Sequence, residues 1–596
     1  MILSKKNNAS NRASAPDQSV ARLRSIGLAL VVFACVIVVR LFDLMILNHA
    51  FYVQLASGAH ELYAELFPKR GTVFAQDTRT AEEFPLAMNR DVFIMYADTR
   101  EITADTQAER NASELSGILG YDDEKKLAVY LQLNKRGDPY EPIEQSLEED
   151  IMKTIEDKQL PGIHFIRKPQ RYYPEGRLAS QVMGFVGKTD EGTDVGRYGL
   201  EGYWQRELAG TGGFFEGIRS AKGKQIPLAG RIFQEAEDGA DLLLTIDRTI
   251  QFQSCEILRK AMDEYGAQSA SLIVMEPYTG AILAMCSLPD FNPNQYNEAE
   301  SIDVFNNTSI FTAYEPGSVF KPVAMSAAIN ENIVQPGSVF HDNGFVEAGC
   351  TKPIRNSSEK EYGDQTMTGV LENSINTGMV YVVNQLGKEK FVEYIQNFGF
   401  GVKKGIGLDT EGSGTIDTLY EKKGNDIDCY TATASFGQGI TVTPLQMVTA
   451  FGAIANGGKL MKPYIVEEIR YKEGQKQGKI ERTKPEVVRE VLSGRAASLV
   501  AGMLVSVIDS GQAGAAAVPG YYVAGKTGTA QIAGPGGYSE DTNHSFVGFA
   551  PVDEPAFVMI VKFEKPQRAF SVSTAAPVFS QVASFILKYY NVPPAR

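Results

Sequence analysis

The longest apolar stretch of the chain runs without interruption from Ile26 to Val39 and, after Arg40, resumes from Leu41 to Leu47. Together the two runs are just long enough to cross a bilayer core, which takes about 20 residues. Lys5, Lys6, Arg12, Arg22 and Arg24 precede them, and this basic tail predicts a cytoplasmic N-terminus. No small-x-small cleavage site follows before bulky, charged sequence begins, which argues against a removed signal peptide. The pattern therefore predicts a tail over 1–24, a transmembrane helix over 25–47, and all later residues on the outer side of the membrane. Arg40 and Asp43 are costly against lipid, so they snorkel, pair with each other one turn apart, or face a partner helix.

Beyond the apolar run the pattern is mixed as far as residue 235. Val92–Tyr96 reads as a strand, and Ser113–Leu133 and Ile143–Lys158 read as charged helices. Glycines crowd the end, from Gly184 to Gly213, and no nucleophile, metal or phosphate motif stands out. Residues 48–235 are thus predicted to be a spacer or docking module. From Asp238 onward the periodicity is cleaner. Leu242–Ile246 reads as a strand and Ile250–Tyr265 as an amphipathic helix. Ser271–Met275 and Ala281–Cys286 flank the turn Pro277–Gly280 as a hairpin. Strand-like Tyr521–Ala524, Ser545–Ala550 and Ala556–Phe563 precede a helix over Ala576–Tyr590. Strands at both ends with long helices between predict one α/β (α+β) body over 236–596, its antiparallel sheet joining the beginning and end of that span.

Composition narrows the classes. At 596 residues the chain exceeds what one core needs, and 43% hydrophobic with 22% charged residues is ordinary for globular protein. The net charge of −14, from 58 basic and 72 acidic residues, is dispersed, which argues against nucleic acid as a partner. The five cysteines contain no C-x-x-C pair, so they form neither a disulfide scaffold nor a zinc framework. Cys350 and Cys429 both lie in loop-like segments, which leaves a bridge between them open in an exported body. No ligand spacing connects the five histidines, so no metal site is expected.

Three short motifs carry the candidate chemistry: Ser318-Val-Phe-Lys321, Ser374-Ile-Asn376 and Lys526-Thr-Gly-Thr529. Pro316-Gly317 makes a turn, Ser318 begins a helix, and Lys321 three residues on shares its face. A serine nucleophile needs a base, and lysine serves only when burial or a second cation lowers its pKa. Lys526 supplies such a cation, while Thr527 and Gly528 on a strand let a substrate backbone come close. Ser374 and Asn376 point into one cleft from a loop. A second Ser-x-x-Lys, Ser357 to Lys360, sits in a polar loop with no apolar helix behind it and is read as coincidence.

In this order the motifs are a signature of serine β-lactamases and penicillin-binding proteins. The chain resembles a class B penicillin-binding protein, a monofunctional peptidoglycan transpeptidase, over nearly all its length. The resemblance includes "KRGTVF", "RYYPEGRLASQVMGFVG", "GLEGYWQRELAGTGG", "GAILAMCSLPDFNPN", "VAGKTGTAQIAGPGGY" and "SFVGFAPVDEPAFVMIV". The last two blocks resemble the cell-division (septal) branch more than the elongation branch. Two features depart from the family: "AQDTRTAEEF" stands where an Asp-Arg-Asn-Gly turn is usual, and Asp43 lies in the anchor.

The resemblance implies a penicillin-binding transpeptidase domain behind an elongated, dimerisation-type pedestal and a membrane helix. It implies that Ser318 attacks the D-Ala-D-Ala end of a stem peptide with Lys321 as base, and that the Ser318 and Thr529 N–H groups hold the oxyanion. Ser374 would pass the proton on, Asn376 would orient the substrate, Lys526 would supply positive potential, and Thr527 and Thr529 would hold the terminal carboxylate beside Gly528. The amine of a neighbouring stem peptide would resolve the acyl-enzyme, and β-lactams would acylate the same serine. No cofactor or metal is implied. A polytopic glycan polymerase and division proteins are the implied partners. The competing readings are an elongation-type transpeptidase, an enzyme that hydrolyses its acyl-enzyme, and a membrane-tethered scaffold with a weak site.

Overall fold

The computed structural model describes residues 61–190, 192–218, 232–357, 359–421, 427–472, 478–534 and 537–596. The expected tail and membrane helix, with Arg40 and Asp43, lie outside the described residues. Among the described residues no helix is long and apolar enough to cross a membrane. The chain divides into two compact units. The described part of one comprises 61–66, 93–166 and pieces of 213–235; the other comprises 67–92, 167–212 and 236–596.

In the first unit, Phe93–Ala97 at the end of strand Glu82–Ala97 pairs with strand Glu141–Leu147. Helices Asp105–Leu119, Asp123–Leu133 and Glu149–Glu156 complete the unit, and Ala112, Leu115, Val129, Leu133 and Ile155 share its core with Met95 and Ile143. Two sequence expectations are corrected here. The helix expected over Ser113–Leu133 is two helices, because Gly120 takes a left-handed conformation and Asp122 caps a new start, accepting from the Lys125 N–H at 2.8 Å. The helix expected over Ile143–Lys158 opens as a strand. Ile143 and Leu147 stand four apart, which suits a helical face and a strand face equally. Pairing with Phe93 and Met95 decides for the strand.

The second unit is built on a five-stranded antiparallel sheet. Its strands are β1 (Ser269–Met275), β2 (Ile282–Leu288), β3 (Ala524–Gly534), β4 (Gly537–Ala550) and β5 (Phe557–Glu564), in the order β2-β1-β5-β4-β3. The sheet thus joins the beginning and end of the 236–596 span, as the strand pattern predicts. Helix α1 (Arg248–Tyr265) starts where the Asp247 carboxylate accepts from the Ile250 N–H at 2.9 Å and stops at left-handed Gly266. The central strand β5 is buried from Phe557 to Phe563, which explains its continuous apolar run. The remaining helices used below are α2 (Lys321–Asn330), α3 (Asn376–Leu386), α4 (Pro444–Ala455), α5 (Gly494–Asp509) and α6 (Ala575–Tyr589). The pairs α1/α6 and α4/α5 each pack together and against the sheet. Strand β3 begins only at Ala524, where a strand over Tyr521–Ala524 was expected, so Lys526 to Thr529 lie within it.

Within this unit, segments 67–92 and 167–212 are tied to each other by a buried charge cluster. The fully buried Glu201 carboxylate accepts from Arg70 Nε at 2.5 Å and Arg171 Nε at 2.6 Å, and Tyr173 donates to it at 3.2 Å. Burial pushes the Glu201 carboxyl up, but Arg171 and Arg70 outweigh it and hold the group below the usual carboxylate range. Breaking a buried pair on one side strands the other charge, at a cost of about 3–5 kcal/mol. Glu201→Gln should therefore lower the unfolding midpoint of this unit by the equivalent of that cost, and an unchanged midpoint would count against the cluster. Since the folded pKa lies below the unfolded one, the stabilisation is present above the ordinary carboxylate range and fades as pH falls through the depressed value.

The cysteine reading is also corrected. Cys350 and Cys429 are bridged, and so are Cys255 and Cys286, which join α1 to β2. Partners 31 and 79 residues apart carry no spacing motif; they meet because the fold lays α1 along β2 and brings the 343–362 loop to helix Cys429–Ala434.

Candidate active site

Ser318 lies in a short 3-10 helix, Gly317–Phe320, that leads directly into α2 at Lys321. The expected helix start is therefore tighter than an α-helical turn and becomes α-helical only at the lysine. Gly317 has φ +57°, a left-handed conformation that few residues other than glycine adopt, and a Cβ there would meet Ala530 at 3.0 Å. Its N–H donates to the Gly437 carbonyl at 2.9 Å. The turn thus presents Ser318, half-exposed, beside strand β3. Gly528 makes the close approach on the strand side: a Cβ there would lie 2.9 Å from the Pro316 carbonyl oxygen and 2.8 Å from Ser545 Oγ.

Residues Lys321 to Ile329 of α2 are all buried, so the only charge on that stretch is held out of water. A helix apolar all round belongs inside a core. Lys321 Nζ donates to the Ser374 carbonyl at 2.5 Å, Ser374 Oγ at 3.1 Å and Asn376 Oδ1 at 2.8 Å. Lys526 Nζ, also buried, donates to the same Ser374 Oγ at 3.1 Å and to the Thr527 carbonyl at 3.2 Å. Burial, and then the neighbouring Lys526 charge, push the Lys321 ammonium well below its ordinary value. Burial brings Lys526 down to about 7.

The three motifs therefore converge on two lysines that share one serine hydroxyl. Ser374 has φ +53° and links helix Met367–Glu372 to α3. Asn376 is the first residue of α3 rather than a loop residue, because Asn356 Oδ1 accepts from its N–H at 3.0 Å. Thr527 and Thr529 lie on one side of β3, opposite Lys526 and Gly528. The Thr529 hydroxyl is engaged by Ser571, donating to Ser571 Oγ and accepting from the Ser571 N–H, both at 3.1 Å. Ser571 opens the short turn before α6 and has no sequence motif of its own. The second Ser-x-x-Lys stays apart: Ser357 is exposed, and Lys360 Nζ lies over the Tyr362 ring at 5.0 Å.

Residues 270–584 match the model of the penicillin binding protein transpeptidase domain, and residues 65–244 match that of the penicillin-binding protein dimerisation domain. The chain belongs to the class B penicillin-binding proteins. Stage V sporulation protein D of Bacillus subtilis is 32% identical over 536 residues, covering 89% of this chain and 79% of that protein. The peptidoglycan D,D-transpeptidase FtsI of Escherichia coli is 28% identical, over 86% of this penicillin-binding protein and 82% of its own length. Penicillin binding protein 3 of Mycobacterium tuberculosis, solved with aztreonam, superposes with a TM-score of 0.66 at 25% identity, covering 89% of this chain and 98% of that one.

Proposed function

We propose that this penicillin-binding protein is a peptidoglycan D,D-transpeptidase whose acyl-enzyme forms on Ser318. The observation that carries the reading is the buried Lys321 amine, held by Ser374 and Asn376 one turn after Ser318 and faced by Lys526. Neutral Lys321 takes the Ser318 hydroxyl proton as Oγ attacks the penultimate D-Ala carbonyl. The backbone N–H groups of Ser318 and Thr529 receive the oxyanion. Collapse breaks the bond to the terminal D-Ala, and Ser374 hands the proton to the departing amine. An acceptor amine then attacks the ester, which closes the cross-link and returns the proton to Ser318. Asn376 orients the substrate amide. Lys526 attracts the terminal carboxylate to Thr527, Gly528 and Thr529, and a β-lactam enters as the same acyl donor.

In this reading residues 1–24 are a cytoplasmic tail, 25–47 a single membrane helix, 48–235 a non-catalytic pedestal and 236–596 the transpeptidase domain. The body faces the extracytoplasmic side of a bacterial cytoplasmic membrane. The Lys-Thr-Gly form of the third motif and the FtsI relative support wall synthesis at division, with a polytopic glycan polymerase and division proteins as partners. The sporulation relative supports one other role, cross-linking of wall made during spore formation. A fluorescent fusion at midcell in growing cells supports the first, and one confined to sporulating cells the second. Incubating the full chain with a peptide ending in D-Ala-D-Ala and a stem-peptide amine should release D-Ala and yield the cross-linked dimer. Release of D-Ala with no dimer would turn the reading to a carboxypeptidase.

A further inference from the structure

The N-terminus of α3 presents a problem that its own sequence does not solve. The residue before the helix is Ile375, which has no side-chain acceptor, yet the first N–H groups of a helix need partners. The acceptor arrives from 20 residues upstream. Asn356 Oδ1 accepts from the N–H groups of Asn376 at 3.0 Å and Thr377 at 3.3 Å. The orientation of that amide is set on its other side, where Nδ2 donates to Asp342 Oδ2 at 2.8 Å and to the Lys360 carbonyl at 3.0 Å. A flipped amide would place donors against donors.

Asp342 is fully buried and receives four neutral donors. Thr377 Oγ1 donates to Oδ1 at 2.6 Å and the Gly344 N–H to the same oxygen at 3.0 Å. Asn356 Nδ2 and the Tyr362 N–H donate to Oδ2, at 2.8 and 2.9 Å. A buried carboxylate met by so many donors is a rigid fixture, because every unmade bond there is costly. Its reach extends to the reacting groups. Asn376 Oδ1 accepts from Lys321 Nζ at 2.8 Å, while its Nδ2 donates at 3.0 Å to the carbonyl of Arg355, the residue before Asn356. Asn376 is thus tied twice to the same upstream segment, by its backbone N–H and by its side-chain Nδ2, while its Oδ1 faces Lys321.

We propose that Asp342, Asn356 and Thr377 form a positioning clamp that sets Asn376 against Lys321 for acylation. The three are positioning residues: none touches the substrate, and they act through the Asn376 amide. The clamp gives the decoy motif a place as well. The turn from Asn356 to Glu359, closed by the Glu359 N–H on the Asn356 carbonyl at 2.9 Å, holds Ser357, and Lys360 supplies its backbone carbonyl to the clamp. Chemistry that the Ser357–Lys360 side chains lack is supplied by the backbone and by the asparagine before them.

The inference rests on the transpeptidase reading, and the test separates the two. Acylation of the full chain by a fluorescent penicillin is followed against pH for wild type, Thr377→Val, Thr377→Ser and Asn356→Ala, with noncovalent Kd and acylation rate resolved separately. Thr377→Val and Asn356→Ala are expected to slow acylation about tenfold or more with Kd within about twofold. Thr377→Ser keeps the hydroxyl and should acylate at close to the wild-type rate. A hydrogen-bond acceptor favours the charged form of Lys321, so loosening Asn376 should also move the acid limb of the profile to lower pH, with Lys526 the charged group that faces the amine among the described residues. A destabilised fold without a clamp would lower the amplitude and leave the limb in place. Wild type that is not labelled on Ser318 sinks the transpeptidase reading. Wild type labelled there, with both loss variants at wild-type rate, or slowed with an unmoved limb and no rescue by Thr377→Ser, overturns the clamp alone. If Asn356→Ala does not fold, the Thr377 pair decides.

Discussion

Ser318→Ala is expected to lose covalent labelling by penicillin completely while remaining folded, and Ser357→Ala to label at the wild-type rate. Ser318 has a buried lysine amine one turn away, its pKa lowered by burial, and a strand packed close beside it at Gly528. Ser357 sits exposed in a turn, and Lys360 is drawn over the Tyr362 ring instead of toward a hydroxyl. Gel fluorescence after incubation with a labelled penicillin reads both variants at once. Loss of labelling in Ser357→Ala with retention in Ser318→Ala would reverse the assignment.

Lys321→Ala should acylate about 10² to 10⁴ times more slowly at neutral pH, the usual contribution of a positioned general base. The pH profile carries the more specific expectation. Lys321 must be neutral to take a proton, and burial and Lys526 hold its pKa well below the ordinary lysine value. Wild-type acylation should therefore stay fast at neutral pH and fall as pH drops through the depressed value, where the amine becomes charged. Lys526→Ala removes the second cation, so Lys321 should recover part of its basicity and the acid limb should move to higher pH. Stopped-flow acylation over a pH series measures both. A limb unchanged in Lys526→Ala would remove the electrostatic coupling between the two lysines.

The geometry of the candidate site was largely legible because each motif carries its own constraint. Pro316-Gly317 announces a turn, residues three apart on a helix share a face, and Lys526-Thr-Gly reads as strand. The α1 helix and β5 were legible because the apolar pattern follows their burial, whereas only the buried half of β4 was read and β3 starts where its expected strand ends. What escaped depends on long-range pairing. Ile143 and Leu147 fit two periods, and only the partner strand separates them. The Cys255–Cys286 bridge, the Arg70–Glu201–Arg171 cluster and the Asp342–Asn356 clamp join residues 14 to 131 apart with no recurrent spacing. The sequence alone suggests a loop at Asn376, because the group that starts its helix belongs to another segment. Ser571 likewise reaches Thr529 from 42 residues downstream.

The central claim, that Ser318 is the acylated nucleophile, is tested most directly by mapping the adduct. The full chain is treated with a penicillin, digested, and the modified peptide identified by mass spectrometry. An adduct carried by Ser318, in the peptide that contains Glu315-Pro-Gly-Ser318, is the expected result. An adduct on Ser357 or on any other residue, or a folded protein that forms none, would contradict it.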